Sequence, residues 1–237
     1  MPMSLKLIND CIFIADTHFN EKNTIFYTFL QELKAKRLLC KQLILMGDMF
    51  DFLTFQTKYF IKKNQKAIDL LNDLSKDIEI IYFEGNHDYN LKKIFPLIKI
   101  YERQAQPVLA EYKNKSISLS HGDMYVDNFY NIYCSVIRNK TLLALLNILD
   151  INDVLSKKIY TSLMAKSICR KIPNFKEIIQ KKIDCYDTSI VIEGHYHQGD
   201  FITYDKTFYV NIPSLLCSNE YVILNDTFKK ITLRTKI

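Results

Sequence analysis

The strongest constraint on this chain is that short, almost unbroken apolar runs each stop at a turn built from Asp, His, Gly or Asn. Residues 10–15 (Asp-Cys-Ile-Phe-Ile-Ala) stop at Asp16, Leu43-Ile44-Leu45-Met46 at Gly47, Ile78 to Phe83 before Gly85, Ser116 to Ser120 at His121, and Ser189-Ile190-Val191-Ile192 before Gly194. Between the first three runs, Ile25, Phe26, Phe29, Leu30 and Leu33, then Ala67, Ile68, Leu71 and Leu74, recur at helical spacing. Strand, helix, strand, helix, strand predicts an α/β fold with right-handed crossovers and a largely parallel sheet in this half.

Residues 125–187 change character. They contain no glycine, and Leu142, Leu145, Leu146, Leu149, Leu155, Ile159, Leu163 and Ile168 predict helices broken at Asp150–Asp153 and Pro173. The polar positions are strongly basic, with Arg138, Lys140, Lys166 and Arg170 among them. Strand patterning returns at Phe201 to Tyr204, Phe208 to Ile212, Tyr221 to Leu224 and Lys230 to Leu233. At 237 residues, 48% apolar and 24% charged, the expectation is one globular domain spanning 1–237, with 125–187 as a helical lid inserted in it. Disorder is excluded by that composition. The net charge of +6 favours anionic partners. No run reaches the ~18 apolar residues of a membrane span, and the opening Met-Pro-Met-Ser-Leu-Lys lacks the pattern of a secretory signal, so a cytoplasmic location is expected. The six cysteines are scattered without a C-x-x-C pair and are expected to be reduced, mostly buried thiols.

The turns carry the chemistry. They read Asp16-Thr17-His18, Gly47-Asp48-Met49-Phe50-Asp51, Gly85-Asn86-His87-Asp88, His121-Gly122-Asp123 and Gly194-His195-Tyr196-His197, and they hold all five histidines of the chain. Carboxyl ends of strands in an open α/β sheet converge on one crevice, and side chains at i and i+2 of an extended segment point to the same side. Taken singly, Gly-Asp is an ordinary turn and a lone histidine an ordinary structural residue. Taken together, the carboxylate, imidazole and amide set suits Mn²⁺, Fe or Zn²⁺, and it exceeds what one tetrahedral ion needs. Two ions roughly 3.5–4 Å apart, bridged by a carboxylate, would clamp a phosphoryl group for in-line displacement, which predicts phosphoester hydrolysis.

The ordered set D-x-H, G-D-x-x-D, G-N-H-D, H-G-D and G-H-x-H resembles the calcineurin-like metallophosphoesterase superfamily. That resemblance implies an α+β, four-layer α-β-β-α sandwich built on two mixed sheets. It also implies two divalent ions, Mn²⁺ first and Fe or Zn²⁺ next. Asp16, His18 and His197 would bind one ion and Asn86, His121 and His195 the other, with Asp48 as the bridge. His87 would stabilise phosphoryl charge or protonate the leaving group, and Asp88 could orient it. Within the superfamily the chain is similar to the UDP-2,3-diacylglucosamine pyrophosphatases of bacterial lipid A synthesis, in its length, in the H-G-D-x-x-x-D run from His121 to Asp127, and in the helical insertion.

This narrower resemblance implies attack at the α-phosphorus, releasing UMP and 2,3-diacylglucosamine 1-phosphate, with substrate contacts expected at Asp123 and Asp127 of the H-G-D-x-x-x-D run, and the basic insertion offers Lys166 and Arg170 for the second phosphate. The expected partner is a UDP-linked diacylated glucosamine lipid at the inner-membrane surface, with no nucleic acid and no obligate protein partner. Basic amphipathic helices supply the apolar surface and the cations that such a lipid needs. Two features depart from the pattern. His87 stands where the commonest form of that enzyme has arginine, and Asn211-Ile212-Pro213-Ser214 lacks the glycine of the usual N-x-G-S segment. The alternative is a nucleotide or nucleic-acid phosphodiesterase on the same site, with Tyr125, Phe129 and Tyr130 as candidate stacking platforms.

Overall fold

A computed structural model describes residues 4–125 and 128–234. In chain order the strands are β1 (Leu5–Lys6), β2 (Cys11–Ile14), β3 (Gln42–Leu45), β4 (Leu53–Thr54), β5 (Glu79–Phe83), β6 (Asp88–Tyr89) and β7 (Lys99–Tyr101), followed by β8 (Val108–Tyr112), β9 (Lys115–Ser120), β10 (Ile190–Glu193), β11 (Phe201–Tyr204), β12 (Thr207–Asn211), β13 (Glu220–Asn225) and β14 (Thr227–Thr232). The α-helices are α1 (Ile25–Lys34), α2 (Lys58–Leu74), α3 (Asn128–Ile137), α4 (Lys140–Leu149), α5 (Val154–Met164), α6 (Phe175–Ile183) and α7 (Leu215–Ser218). Two six-stranded sheets form, in the orders β14-β13-β2-β3-β5-β7 and β1-β8-β9-β10-β12-β11, and β4 pairs with β6 in a small ribbon.

Alternation along the buried strands builds the layers. Ile12 and Ile14 of β2, Leu43 and Leu45 of β3, and Ile80 and Tyr82 of β5 face α1 and α2, meeting Phe26, Phe29, Leu30, Ile68 and Leu71. The residues between them, Cys11, Phe13, Ile44, Ile81 and Phe83, face Ile117 and Leu119 of β9, Ile192 of β10 and Val210 of β12 in the other sheet. The outer face of that second sheet offers Val191 and Tyr209 to Phe175, Ile179 and Ile183 of α6. Because side chains alternate across a strand, apolar residues at every position make three cores. Three cores require four layers, α-β-β-α. The central β2-β3-β5 triplet is parallel, as the sequence predicts. Both sheets are nevertheless mixed, since β13 pairs antiparallel with β2, β8 with β9, and β11 with β12.

The insertion is helical, with breaks at Asp150–Asp153 and ahead of Phe175 where Pro173 lies. Polar latches tie it down. Asn147 Oδ1 of α4 accepts the Lys58 amide at the start of α2 at 3.0 Å, the Tyr160 hydroxyl of α5 donates to Glu21 at 3.0 Å, and Arg138, just past α3, donates to the Gly85 carbonyl at 2.5 Å. Its outer side leaves Phe129, Ile132, Ile148, Leu149, Ile151 and Val154 exposed. Among the described residues no single helix is long and apolar enough to cross a membrane, and α3 and α4 meet at 53°.

The expectation of reduced, mostly buried thiols needs correction. Cys169 and Cys217 form a disulfide, because the chain leaving α5 returns across α7 and brings together two sulfurs 48 residues apart. Of the other four, Cys11 and Cys134 are buried, Cys40 is half-buried and Cys185 is exposed.

Phe50 anchors the layer under the site. It is fully buried, edge-on to Phe19 and Phe26 and stacked on Phe95. Phe50→Ala is expected to destabilise the fold by about 3–5 kcal/mol, read as a lower midpoint in urea unfolding with an unchanged slope.

Candidate metal centre

The five turns meet. Those after β2, β3 and β5 bring Asp16, His18, Asp48, Asn86 and His87 from one sheet, and those after β9 and β10 bring His121, His195 and His197 from the other. Hydrogen bonds between the turns stitch the sheets together at this end. The His195 amide donates to Asp16 Oδ1 at 3.1 Å, and His121 Nδ1 donates to the Met46 carbonyl at 2.8 Å. Within one sheet, the Asp16 and His18 amides donate to the carbonyls of Gly47 and Asp48 at 3.1 and 3.0 Å.

The backbone is strained where the side chains converge. Asp16, His18, Asp48, His195 and His197 all have φ between 43° and 65°, a left-handed conformation that costs of order 1–3 kcal/mol for a residue with a Cβ. Glycine is required beside them. A Cβ on Gly85 would sit 2.1 Å from Asp48 Oδ1, and one on Gly47, itself at φ +91°, would sit 2.4 Å from His121 Nδ1.

Two ligand clusters result. In the first, His197 Nε2 lies 3.4 Å from both His18 Nε2 and Asp16 Oδ1. In the second, His121 Nε2 lies 3.2 Å from His195 Nδ1, 3.3 Å from Asn86 Oδ1 and 3.6 Å from Asp48 Oδ2. Asp48 also groups with His18 and His87, with ligand atoms within 4.8 Å of one another, so it stands between the clusters.

This arrangement fits cations. Asp16 Oδ2 is a buried acceptor with no hydrogen-bond partner, and imidazole nitrogens face each other at distances where two lone pairs would repel. A metal ion satisfies both, since it takes carboxylate oxygen and neutral imidazole nitrogen together.

The local field makes the same point. Burial would raise the Asp48 carboxyl, but His121, His87, His18 and His195 outweigh it and hold the group far below the usual carboxylate range. Burial opposes charge on His121, yet Asp48, Asp123 and Asp16 push it up to about 9. His195 is pushed down to about 4 by burial and by the charge of His121. Without a cation, a proton on His121 supplies the positive charge that the carboxylates demand.

A surrounding shell fixes these groups, and sequence reading missed most of it. His87 Nδ1 donates to the Asp51 carbonyl at 2.6 Å, while Asp51 Oδ1 faces His18 Nδ1 at 3.5 Å and Asp51 Oδ2 accepts from Asn20 at 2.5 Å. Asp88 does not orient His87. Its carboxylate accepts the amides of Asp48, Met49 and Gly85 and the Tyr82 hydroxyl, locking two ligand turns to each other. Asn211 accepts the Gln198 and Gly199 amides and donates to the carbonyls of Glu193 and Gly194, and Ser214 donates to the Asp16 carbonyl at 2.7 Å. Beneath the His121 and His195 turns, Lys182 of α6 pairs with Glu193 at 2.9 Å and donates to the Gly122 carbonyl and the Tyr196 hydroxyl. Glu193 is fully buried and also accepts from Tyr186, Tyr209 and Ser120.

The residues expected to touch substrate fare differently. Asp123 is fully buried, with its Oδ2 held by Arg103 Nε at 2.7 Å, and Arg103 also reaches Asn131 of α3. It braces the insertion and is not presented to solvent, which corrects its placement among substrate contacts. Lys166 and Arg170 are exposed on the insertion. The Arg170 backbone is tied to the cage, since Gln198, next to His197, donates to its carbonyl at 3.0 Å, and the disulfide half Cys217 lies 4.0 Å from His197 Nδ1. Asp127 lies outside the described residues. Tyr125 and Phe129 are exposed, as a stacking platform requires, and Tyr130 is half-buried under Arg103.

Comparison with known proteins identifies the family. The calcineurin-like phosphoesterase family matches residues 11–199, which contain every ligand turn, and the chain belongs to that family. It is therefore a phosphoesterase-type enzyme of a family that uses divalent metals. A UDP-2,3-diacylglucosamine hydrolase of Wigglesworthia glossinidia brevipalpis is 27% identical over 207 residues, covering 78% of each chain. One of Blochmanniella pennsylvanica is 25% identical over 229 residues, covering 89% of this chain and 88% of its own. Among solved structures, an archaeal phosphodiesterase aligns over 94% of this chain and 99% of its own, with a TM-score of 0.47 and 14% identity.

The buried Lys182–Glu193 pair yields a stability prediction. Glu193→Gln leaves the ammonium of Lys182 in the interior without its counter-charge and should cost about 3–5 kcal/mol. Adding Lys182→Met should recover part of that loss in a double-mutant cycle followed by urea unfolding. Additive losses would contradict the coupling.

Proposed function

We propose that this enzyme hydrolyses the diphosphate of UDP-2,3-diacylglucosamine, releasing UMP and 2,3-diacylglucosamine 1-phosphate. The observation that carries the reading is the position of the insertion. A helical insertion with exposed Phe129, Ile132, Ile148, Leu149, Ile151 and Val154 is fastened to the cage through Arg138 and Gly85, so apolar area suited to acyl chains belongs to an element tied to the phosphoester site. Basic side chains on the same insertion, Lys166 and Arg170 among them, suit the second phosphate. The relatives that bear this activity in their names support the choice of substrate. The same exposed face would rest against the cytoplasmic side of the inner membrane, where such a lipid is found.

In this reading Asp16, His18 and His197 would hold one divalent ion, Asn86, His121 and His195 would hold the other, and Asp48 would be shared by both, with Mn²⁺ the expected metal. The pair supplies Lewis-acid polarisation of phosphoryl oxygens and a nucleophile available at neutral pH. The protein does the rest. Asp48 accepts the His87 amide at 2.8 Å, which sets the His87 turn relative to the bridge. With Nδ1 of His87 committed to the Asp51 carbonyl, Nε2 is the nitrogen left to face the phosphoryl group, to hydrogen-bond its oxygen or to deliver a proton to the leaving oxygen. The Met46 carbonyl fixes the ring of His121 and Asp51 faces the ring of His18, so these two ligand nitrogens are aimed before an ion arrives.

Two experiments test the proposal. Hydrolysis of UDP-2,3-diacylglucosamine in ¹⁸O water should place the label in UMP, as attack at the α-phosphorus requires. Label confined to the lipid phosphate contradicts that attack, and brisk cleavage of nucleotides without turnover of the lipid contradicts the substrate. Asp48→Ala should lower kcat by about 10²–10³-fold or more, on the scale of removing a group that stabilises transition-state charge, whereas Lys166→Ala should chiefly raise KM.

A further inference from the structure

We propose that the segment joining α5 to α6 is a strap latched to the His197 turn by a thiol-sensitive disulfide, so that affinity for the diphosphate substrate answers to the redox state of the surroundings. The inference rests on the UDP-lipid reading, which puts the second phosphate on Lys166 and Arg170, and it adds the device that holds those two residues in place. Both belong to the strap, three residues before and one residue after Cys169.

The strap, residues 165–174, has no regular secondary structure. With no helix or sheet ladder of its own, it depends on ties to the rest of the fold, and two anchors supply them. One is Gln198, the buried neighbour of His197. Its Nε2 donates to the Arg170 carbonyl at 3.0 Å, its Oε1 accepts the Ile172 amide at 3.0 Å, and its own carbonyl accepts Lys171 Nζ at 3.1 Å. Asn211 accepts the Gln198 amide at 2.9 Å and so fixes the anchor itself. The other anchor is covalent. Cys169 is bonded to Cys217 of α7, whose Sγ lies 4.0 Å from His197 Nδ1, and Ser214 at the start of α7 donates to the Asp16 carbonyl at 2.7 Å. Both anchors therefore end beside turns that carry proposed ligands.

The covalent anchor is placed where it can be opened. Cys169 is exposed and Cys217 half-buried, so an incoming thiolate reaches the Cys169 sulfur and Cys217 is the leaving group. A low-molecular-mass thiol of the glutathione class, RSH, forms a mixed disulfide with Cys169 and releases Cys217 as a thiolate that takes up a proton. A second RSH attacks the mixed disulfide, and the products are RSSR and two protein thiols. Disulfides of cytoplasmic proteins are usually transient, catalytic or redox-sensing, and the sequence predicts that location. Once the bond is open, the strap keeps its hydrogen bonds at residues 170–172 but loses its tie at Cys169, and Lys166 lies on the released side. The turns of the cage keep their own supports in Asp88, Asn211 and Ser214. Reduction thus removes pre-organised phosphate contacts and spares the metal chemistry.

Alkylation of the unfolded protein without reductant should modify four cysteines, and all six after dithiothreitol. Six in both cases would mean no bridge and would overturn the proposal. Steady-state kinetics of the Mn²⁺-loaded enzyme, desalted after treatment with dithiothreitol, should show KM for UDP-2,3-diacylglucosamine raised about fivefold or more with kcat within about twofold. Hydrolysis of bis(p-nitrophenyl) phosphate, which needs only the cage, should change by less than about twofold. Cys169→Ser should raise KM for the lipid without any reductant and should no longer respond to one. An unchanged KM, a response that survives in Cys169→Ser, or an equal loss on both substrates overturns the latch. Trypsin gives a readout that needs no substrate. Cleavage after Lys166, Arg170 and Lys171, followed on reducing gels, should quicken about fivefold or more on reduction, and an unchanged rate overturns the latch as well. If the oxidised enzyme does not turn over the UDP-lipid at all, the substrate reading falls by itself, and the trypsin rates alone decide the latch.

Discussion

Asp48 carries its charge where water scarcely reaches, and the rest of the site is arranged to make that tolerable. The side chain is 3% exposed, yet the carboxyl stays ionised because four imidazoles surround it and the His87 amide donates to it. Those imidazoles must in turn come from both sheets. The need to bring them together explains why the chain turns sharply at the end of every central strand. It also explains why five residues bearing a Cβ accept left-handed backbone there. Such strain persists only when its surroundings over-determine it, and here they do. Asp88 collects amides from the Asp48 and Gly85 turns, Asn211 pins the His197 turn, and the Lys182–Glu193 pair supports the His121 and His195 turns from below.

The same bonds make the insertion part of the site. Arg138 at the end of α3 holds the Gly85 carbonyl, Arg103 joins Asp123 to α3, Lys182 reaches from α6 to Gly122, and the Cys169–Cys217 disulfide crosses beside His197. The first three links end within two residues of a proposed ligand, and Cys217 lies 4.0 Å from His197 Nδ1. The insertion therefore has a fixed relation to the cage.

The cage was legible in the sequence because metals demand rare residue types, and the strand ends where they must sit are marked by the stop of an apolar run. The four layers were legible only through the resemblance to the superfamily; the strands themselves predicted a largely parallel sheet, and the structure adds that strands apolar at every position are covered on both faces. What supports the cage was not legible. Asp51 and Asp88 look like any turn aspartate, and only the fold reveals that one faces His18 while the other gathers amides 40 residues away. Lys182 looks like one more lysine on a basic helix, although it is buried against Glu193. Cys169 and Cys217 share no motif, and strands of two or three residues such as β1, β4, β6 and β7 carry too little pattern to be seen. The Asp123 side chain was misplaced because its partner Arg103 is 20 residues away in a segment without clear periodicity.

The central claim is that two divalent ions share Asp48 within one cage. Electron paramagnetic resonance of the protein titrated with Mn²⁺ tests it most directly. The account predicts that the signal of isolated Mn²⁺ gives way to an exchange-coupled spectrum as a second equivalent binds. A spectrum that remains that of magnetically isolated ions at saturation, or uptake that ends at one equivalent, would contradict it.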